Sequence, residues 1–71
     1  MSYCGFVRVD KKFAVDIFWW LIDHGIVASI PLSLSPYSSE IFLSNLTPEQ
    51  RTLCTDYLSS VYDVVLHFYL S

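Results

Sequence analysis

Cys4, His24, Cys54 and His67 are the four side chains in this chain able to hold a soft metal. A zinc site built from two cysteines and two histidines gathers its ligands through short C-x-x-C and H-x-x-x-H spacings. Neither spacing occurs, and the four residues fall on three separate predicted elements. Cysteines packed as small apolar groups and two ordinary histidines account for them better. No metal and no cofactor is expected.

Proton transfer is the next chemistry to weigh. Asp63 and His67 stand one helical turn apart. A carboxylate so placed holds an imidazolium, which also suits the negative end of a helix. The same pair could orient a general base, but that role needs a nucleophile nearby. No serine or cysteine stands in a recognisable context, and neither a G-x-S-x-G elbow nor a phosphate loop is present. Ser29, Ser33, Ser35, Ser38, Ser39 and Ser44 read as strand and turn positions. Asp23 and His24 are neighbours in sequence and diverge around a helix. The Asp63–His67 pair is therefore read as structural, and no enzymatic activity is expected.

Charge is the more informative chemistry. Glu49, Asp56 and Asp63 fall seven residues apart, as do Asp16 and Asp23. Two helical turns cover about seven residues, so helices would carry these acids as narrow stripes. Arg8, Lys11 and Lys12 lie in the first twelve residues. From residue 13 onward, six acids stand against Arg51 alone, a balance of −5. One-sided charge of this kind suits a basic partner and repels nucleic acid. It also serves solubility on a chain that is 54% apolar and 17% aromatic.

Seventy-one residues make a single domain, residues 1–71, and so small a core leans on dense apolar packing. The net charge of −3 argues against direct nucleic-acid binding. Two cysteines make no disulfide framework, and the first nine residues lack the apolar segment of a signal peptide. A cytoplasmic setting with free thiols is the expectation. Residues 13–32 are apolar enough to suggest a membrane span, yet Asp16, Asp23, His24 and Gly25 interrupt them.

The elements that position these groups follow from pattern. Residues 3–9 are aromatic and β-branched and predict a strand, with Gly5 its weak point. Asp10 offers an N-cap to a helix over 11–24, closed by Gly25. Phe13, Ile17, Trp20, Leu21 and His24 share one face of that helix, widened by Ala14, Phe18 and Ile22. Val15 and Trp19 fall on its exposed flank. Ile30, Leu32 and Leu34 alternate with polar residues, predicting a half-buried strand over 27–35 that Pro31 restricts to an edge or a bulge. Residues 36–39 are turn-like, and 40–44 read as a returning strand. The alternative is a mostly α chain with residues 36–44 helical. Thr47-Pro48-Glu49-Gln50 supplies an N-cap, an N1 proline, a first-turn acid and a capping-box glutamine. A second helix is predicted to run to about residue 69. Its core stripe would be Leu53, Tyr57, Val61, Val64 and Phe68, flanked by Cys54, Leu58 and Val65, with Leu66 projecting away. The fold class is α+β in the order β-α-β-β-α, with both helices on one face of a small sheet.

The functional expectation is a small acidic inhibitor. Asp16, Asp23, Glu49, Asp56 and Asp63 would face a basic nucleic-acid-handling or nuclease partner. Trp19, Tyr62 and Leu66 would anchor the contact, Trp being enriched among binding hot spots. Small proteins of phages and mobile elements, anti-CRISPR inhibitors among them, act in this way; the association is one of size and charge, not of motif. The competing expectation is a homodimer that buries Trp19, Val15, Ile22 and Leu66 and uses the acids only for solubility.

Overall fold

The computed structural model describes residues 2–70. β1 (Tyr3–Asp10) leads directly into α1 (Lys11–Asp23). β2 (Val27–Ala28) and β3 (Leu32–Ser33) are short, and β4 (Ser38–Leu46) is the longest strand. α2 (Pro48–Val61) follows, and β5 (Leu66–Leu70) ends the described chain. The sheet is antiparallel in the order β2-β4-β1-β5. β3 pairs with β4 beyond β2, so two short strands share one edge of β4.

Local chemistry explains the boundaries. The Asp10 carboxylate accepts from the Lys12 N–H at 3.1 Å and starts α1. Gly25, at φ 72°, ends it. The N–H of Gly25 returns to the Ile22 carbonyl, and that of Ile26 to Leu21. This is a Schellman closure, in which a left-handed residue lets the chain satisfy the last carbonyls. At α2 the Thr47 hydroxyl accepts from Gln50 N, and the Gln50 side chain accepts from Thr47 N, completing the capping box. The β3–β4 turn is held by Ser35, whose hydroxyl accepts from the N–H groups of both Tyr37 and Ser38.

The core forms where one face of the sheet meets both helices. Val7 and Val9 of β1 and Ile41 and Leu43 of β4 point inward, opposite Ala14, Ile17 and Leu21 of α1 and Cys54 and Leu58 of α2. Leu46 also faces in, although it lies an odd three positions after Leu43. Asn45 makes this possible: its φ of 54° breaks the period-two alternation, in a conformation that Asn tolerates well. The helices run antiparallel. Gln50 near the start of α2 donates to the Gly25 carbonyl after the end of α1. Phe13 at the start of α1 meets Tyr62 at the end of α2.

The α+β class, the helices on one face and the hairpin at 36–44 stand as expected, and the helical alternative for 36–44 does not. Three expectations are corrected. The strand over 27–35 is interrupted, and Ile30, Leu32 and Leu34 are exposed. Pro31 lacks the N–H a continuous ladder needs. The chain leaves the sheet around it, and Ser29 substitutes locally by exchanging hydrogen bonds with Phe42.

The second helix stops at Val61 rather than near residue 69, and β5 takes its place, giving a final strand beyond the expected order. Tyr62 is the C-cap, and Asp63 adopts φ 54°, the role glycine plays after α1. The sequence 64–70 holds two adjacent valines and two aromatics, residues that fit a pleated strand. The same residues also satisfy a helical spacing, which is why the pattern misled. The helix phase shifts with its length: Cys54 and Leu58 are the buried residues of α2, whereas Leu53 and Val61 are exposed. No helix among the described residues is long and apolar enough to cross a membrane.

Candidate docking face on the helical layer

An aromatic seam joins the two helices. Trp20 stacks on Tyr57 with centroids 4.2 Å apart and planes within 5°. His24 covers the other side of the Trp20 ring at 4.1 Å, with Nδ1 2.7 Å from the Trp20 carbonyl oxygen. Tyr57 meets Tyr62 edge-on, and Tyr62 meets Phe13 at 5.3 Å. Offset and edge-to-face contacts of this kind each add about 0.5–1.5 kcal/mol beyond area burial. The seam therefore fixes how the outer faces of the helices sit side by side.

The acids border that seam. Asp16 follows Phe13 by three residues, and Asp23 follows Trp20 by three. A step of about 100° per residue rolls each acid outward by about 60° from its seam aromatic. Asp16 lies close enough to Tyr62 to affect its titration. Burial pushes the Tyr62 hydroxyl up, and Tyr57 and the Asp16 carboxylate add to the rise. On α2, Glu49 and Asp56 project from the exposed side. With Pro48, Thr52 and Leu53 they line a shallow open depression of about 550 Å³. Leu53 presents an exposed apolar floor between two carboxylates.

The cations are engaged elsewhere. Arg8 Nε donates to Glu40 at 3.0 Å on the far side of the sheet. Lys11 donates to Ser33, and Lys12 lies over the Phe13 ring. Arg51 sits over Tyr3 and Phe68 at 5.1 and 5.3 Å. Among the described residues no cation forms a salt bridge with Asp16, Asp23, Glu49 or Asp56. The outer helical layer therefore carries four exposed carboxylates without a paired countercharge. Trp19 stands among them, 57% exposed, its ring edge-on to Phe18.

Five of the eight residues singled out from sequence thus lie on the outer helical surface: Asp16, Trp19, Asp23, Glu49 and Asp56. The other three do not join them. Asp63 is exposed but lies in the link after α2, off the helical stripe, and it is no longer one turn from His67. Tyr62 is half-buried in the seam. Leu66 is half-buried on β5 opposite Val7, packed against the core. Leu53 was missed because the longer helix assigned it to the core.

The groups considered for metal or proton chemistry are dispersed. His67 stacks on Phe6 on the open side of the sheet at 4.9 Å, while His24 caps α1. Cys54 is fully buried, and burial raises its thiol pKa to about 11. Cys4 lies on β1 on the open side, opposite Tyr69. Among the described residues no cluster of three metal-ligating side chains forms. Comparison with protein families, curated proteins and solved structures gives no match to this chain.

Proposed function

We propose that this protein is a stoichiometric inhibitor whose acidic helical layer docks on a basic protein surface. The partner is a nucleic-acid-handling or nuclease protein, and inhibition is by competition for its basic surface. The observation that carries the reading is the set of four carboxylates, Asp16, Asp23, Glu49 and Asp56, exposed together without a paired cation. Trp19 and Leu53 supply apolar anchors within this set. The depression on α2 suits a long cationic side chain. Its aliphatic stem would lie on Pro48 and Leu53 and its charged head between Glu49 and Asp56. Origin in a phage or mobile element, action in a host cytoplasm and kinship of role with anti-CRISPR inhibitors belong to the same proposal. They rest on size and charge.

The division of labour follows from physics. Carboxylates seven residues apart on a helix lie about 10 Å from each other, close to the Debye length at 0.1 M salt. They therefore act together as a steering field at low ionic strength and are screened at high. Charge sets the association rate, and the anchors set the residence time. The test is affinity capture from host lysate with wild type and an Asp23→Lys/Asp56→Lys variant, at low and high salt. The proposal expects one basic nucleic-acid-handling protein, retained by wild type, weakened by salt and lost in the variant. Equal capture by both proteins removes it.

A further inference from the structure

We propose that the open face of the sheet is a homodimer interface, on which a second copy of this chain packs sheet to sheet. Both helices cover one face, and the other is left uncovered. Across that face runs an aromatic row in direct register: Phe42 of β4, Phe6 of β1 and His67 of β5. Phe6 meets Phe42 at 6.3 Å and His67 at 4.9 Å. Tyr69 extends the row along β5, and Val27 extends it towards β2; both are more than half exposed. The chain is not loosely folded. It exposes 4429 Å², where a compact monomer of 8.2 kDa exposes about 4500 Å². Part of its apolar exposure lies on this uncovered sheet layer, at Phe42, Tyr69 and Val27.

Charge selects the occupant. The chain as a whole carries −3, so two copies repel wherever their carboxylates meet. On this face the one central cation and anion, Arg8 and Glu40, neutralise each other at 3.0 Å. The unpaired acids Asp16, Asp23, Glu49 and Asp56 lie on the opposite layer. A second copy therefore meets this face with its repulsive charge turned away, and a basic partner gains nothing here from its charge. The area is also sufficient. Two long strands, β1 and β4, flanked by the shorter β5, β2 and β3, at about 3.3 Å per residue and about 4.8 Å spacing, give on the order of 400 Å² in projection. Side-chain relief raises that towards the roughly 600–1,000 Å² per partner of a stable interface. Such a dimer places the two acidic helical layers at opposite poles and makes the protein bivalent, independently of what the acidic layer binds.

Sedimentation of the full chain from micromolar to millimolar concentration tests this, with Phe42→Lys, Tyr69→Lys and Trp19→Ala beside wild type. The expected result is a wild-type monomer–dimer equilibrium. Phe42→Lys and Tyr69→Lys each raise its Kd by about thirtyfold or more, the loss of one hot-spot residue. Trp19→Ala leaves it unchanged. Circular dichroism and a cooperative urea transition establish that each variant is folded. If Phe42→Lys fails to fold, Val27→Lys at an exposed edge carries the same expectation. A wild-type monomer at every concentration overturns the proposal. So does a dimer that survives both sheet substitutions, or one broken by Trp19→Ala. Binding of neutral lipid vesicles by a monomer would reassign the face to a membrane surface and equally overturn it.

Discussion

Gly5→Ala probes the contact that sequence pattern missed, the docking of β5 on β1. Gly5 is buried in β1, paired with Phe68 on one side and Leu43 on the other. A Cβ added there would overlap the backbone carbonyl oxygen of His67 and meet Phe68 Cδ1 at 2.9 Å. The Phe68 ring can turn, but the carbonyl belongs to the strand itself, so β5 has to move. Moving it exposes Leu66 and Phe68, both half-buried against the core. Full burial of each side chain stabilises by about 1.5–3 kcal/mol, so losing half of each costs about 1.5–3 kcal/mol in total. Accommodating the methyl by strain instead costs about 1–3 kcal/mol. Either route predicts a loss of about 1–3 kcal/mol. A domain of this size has roughly 3–5 kcal/mol from its core, so the urea midpoint should fall by about half. Gly25→Ala is the control. Its Cβ meets nothing within 4 Å, so only the left-handed backbone opposes it, at about 1–2 kcal/mol. Hydrogen exchange separates the two: Gly5→Ala should strip protection from the β5 amides, and Gly25→Ala should not. A Gly5→Ala loss under about 0.5 kcal/mol with β5 protection intact would refute the close approach.

Other expectations follow from single contacts. Asp63→Gly should stabilise the protein by about 0.5–1 kcal/mol in urea titration, because a φ of 54° strains an aspartate and not a glycine; a continuous helix through residue 63 would instead lose about 1 kcal/mol. Thr47→Ala should cost about 1 kcal/mol, the loss of the hydroxyl that accepts from Gln50 N, and thermal unfolding reads it directly. Burial raises the Cys54 thiol to about 11 from an ordinary 9.0. The folded state thus favours the neutral thiol, and its contribution is complete below about pH 9 and lost as pH rises towards 11. Urea titrations across that window should show stability falling by about 2–3 kcal/mol, and a shallower fall in a Cys54→Ala variant, where the raised Tyr62 hydroxyl remains. At lower pH, iodoacetamide should modify Cys4 well ahead of Cys54, as read by mass spectrometry of the native protein.

Much of the fold was legible because several local signals coincided. Asp10 and Gly25 bracket α1, and Thr47, Pro48 and Gln50 open α2, each by a capping contact with the expected partner. The end of α2 was not legible. Its stop is an aspartate at positive φ, and the valines and aromatics after it fit both a helical and a strand period. From that one boundary followed the misplaced core stripe, the false Asp63–His67 pair and the choice of Leu66 as an anchor. The exposure of Trp19 and Val15 followed from helix phase alone. The open sheet face left a signal that alternation obscures. In β1 and β4 both phases are apolar, Val7 and Val9 against Phe6, Ile41 and Leu43 against Phe42. A strand apolar on both faces is covered on both sides or meets a partner. The seam of Trp20, Tyr57 and Tyr62 was hidden for a different reason, since it depends on how two helices pack.

The most direct test of the proposed inhibition is a displacement titration on the captured basic partner, with labelled nucleic acid as the reporter. Competition for one surface predicts that the apparent Kd for nucleic acid rises in proportion to the concentration of this protein. It also predicts that Trp19→Ala/Asp23→Lys/Asp56→Lys abolishes the effect while remaining folded. A ternary complex in which partner, nucleic acid and this protein bind together, with the nucleic-acid Kd unchanged, would contradict the account.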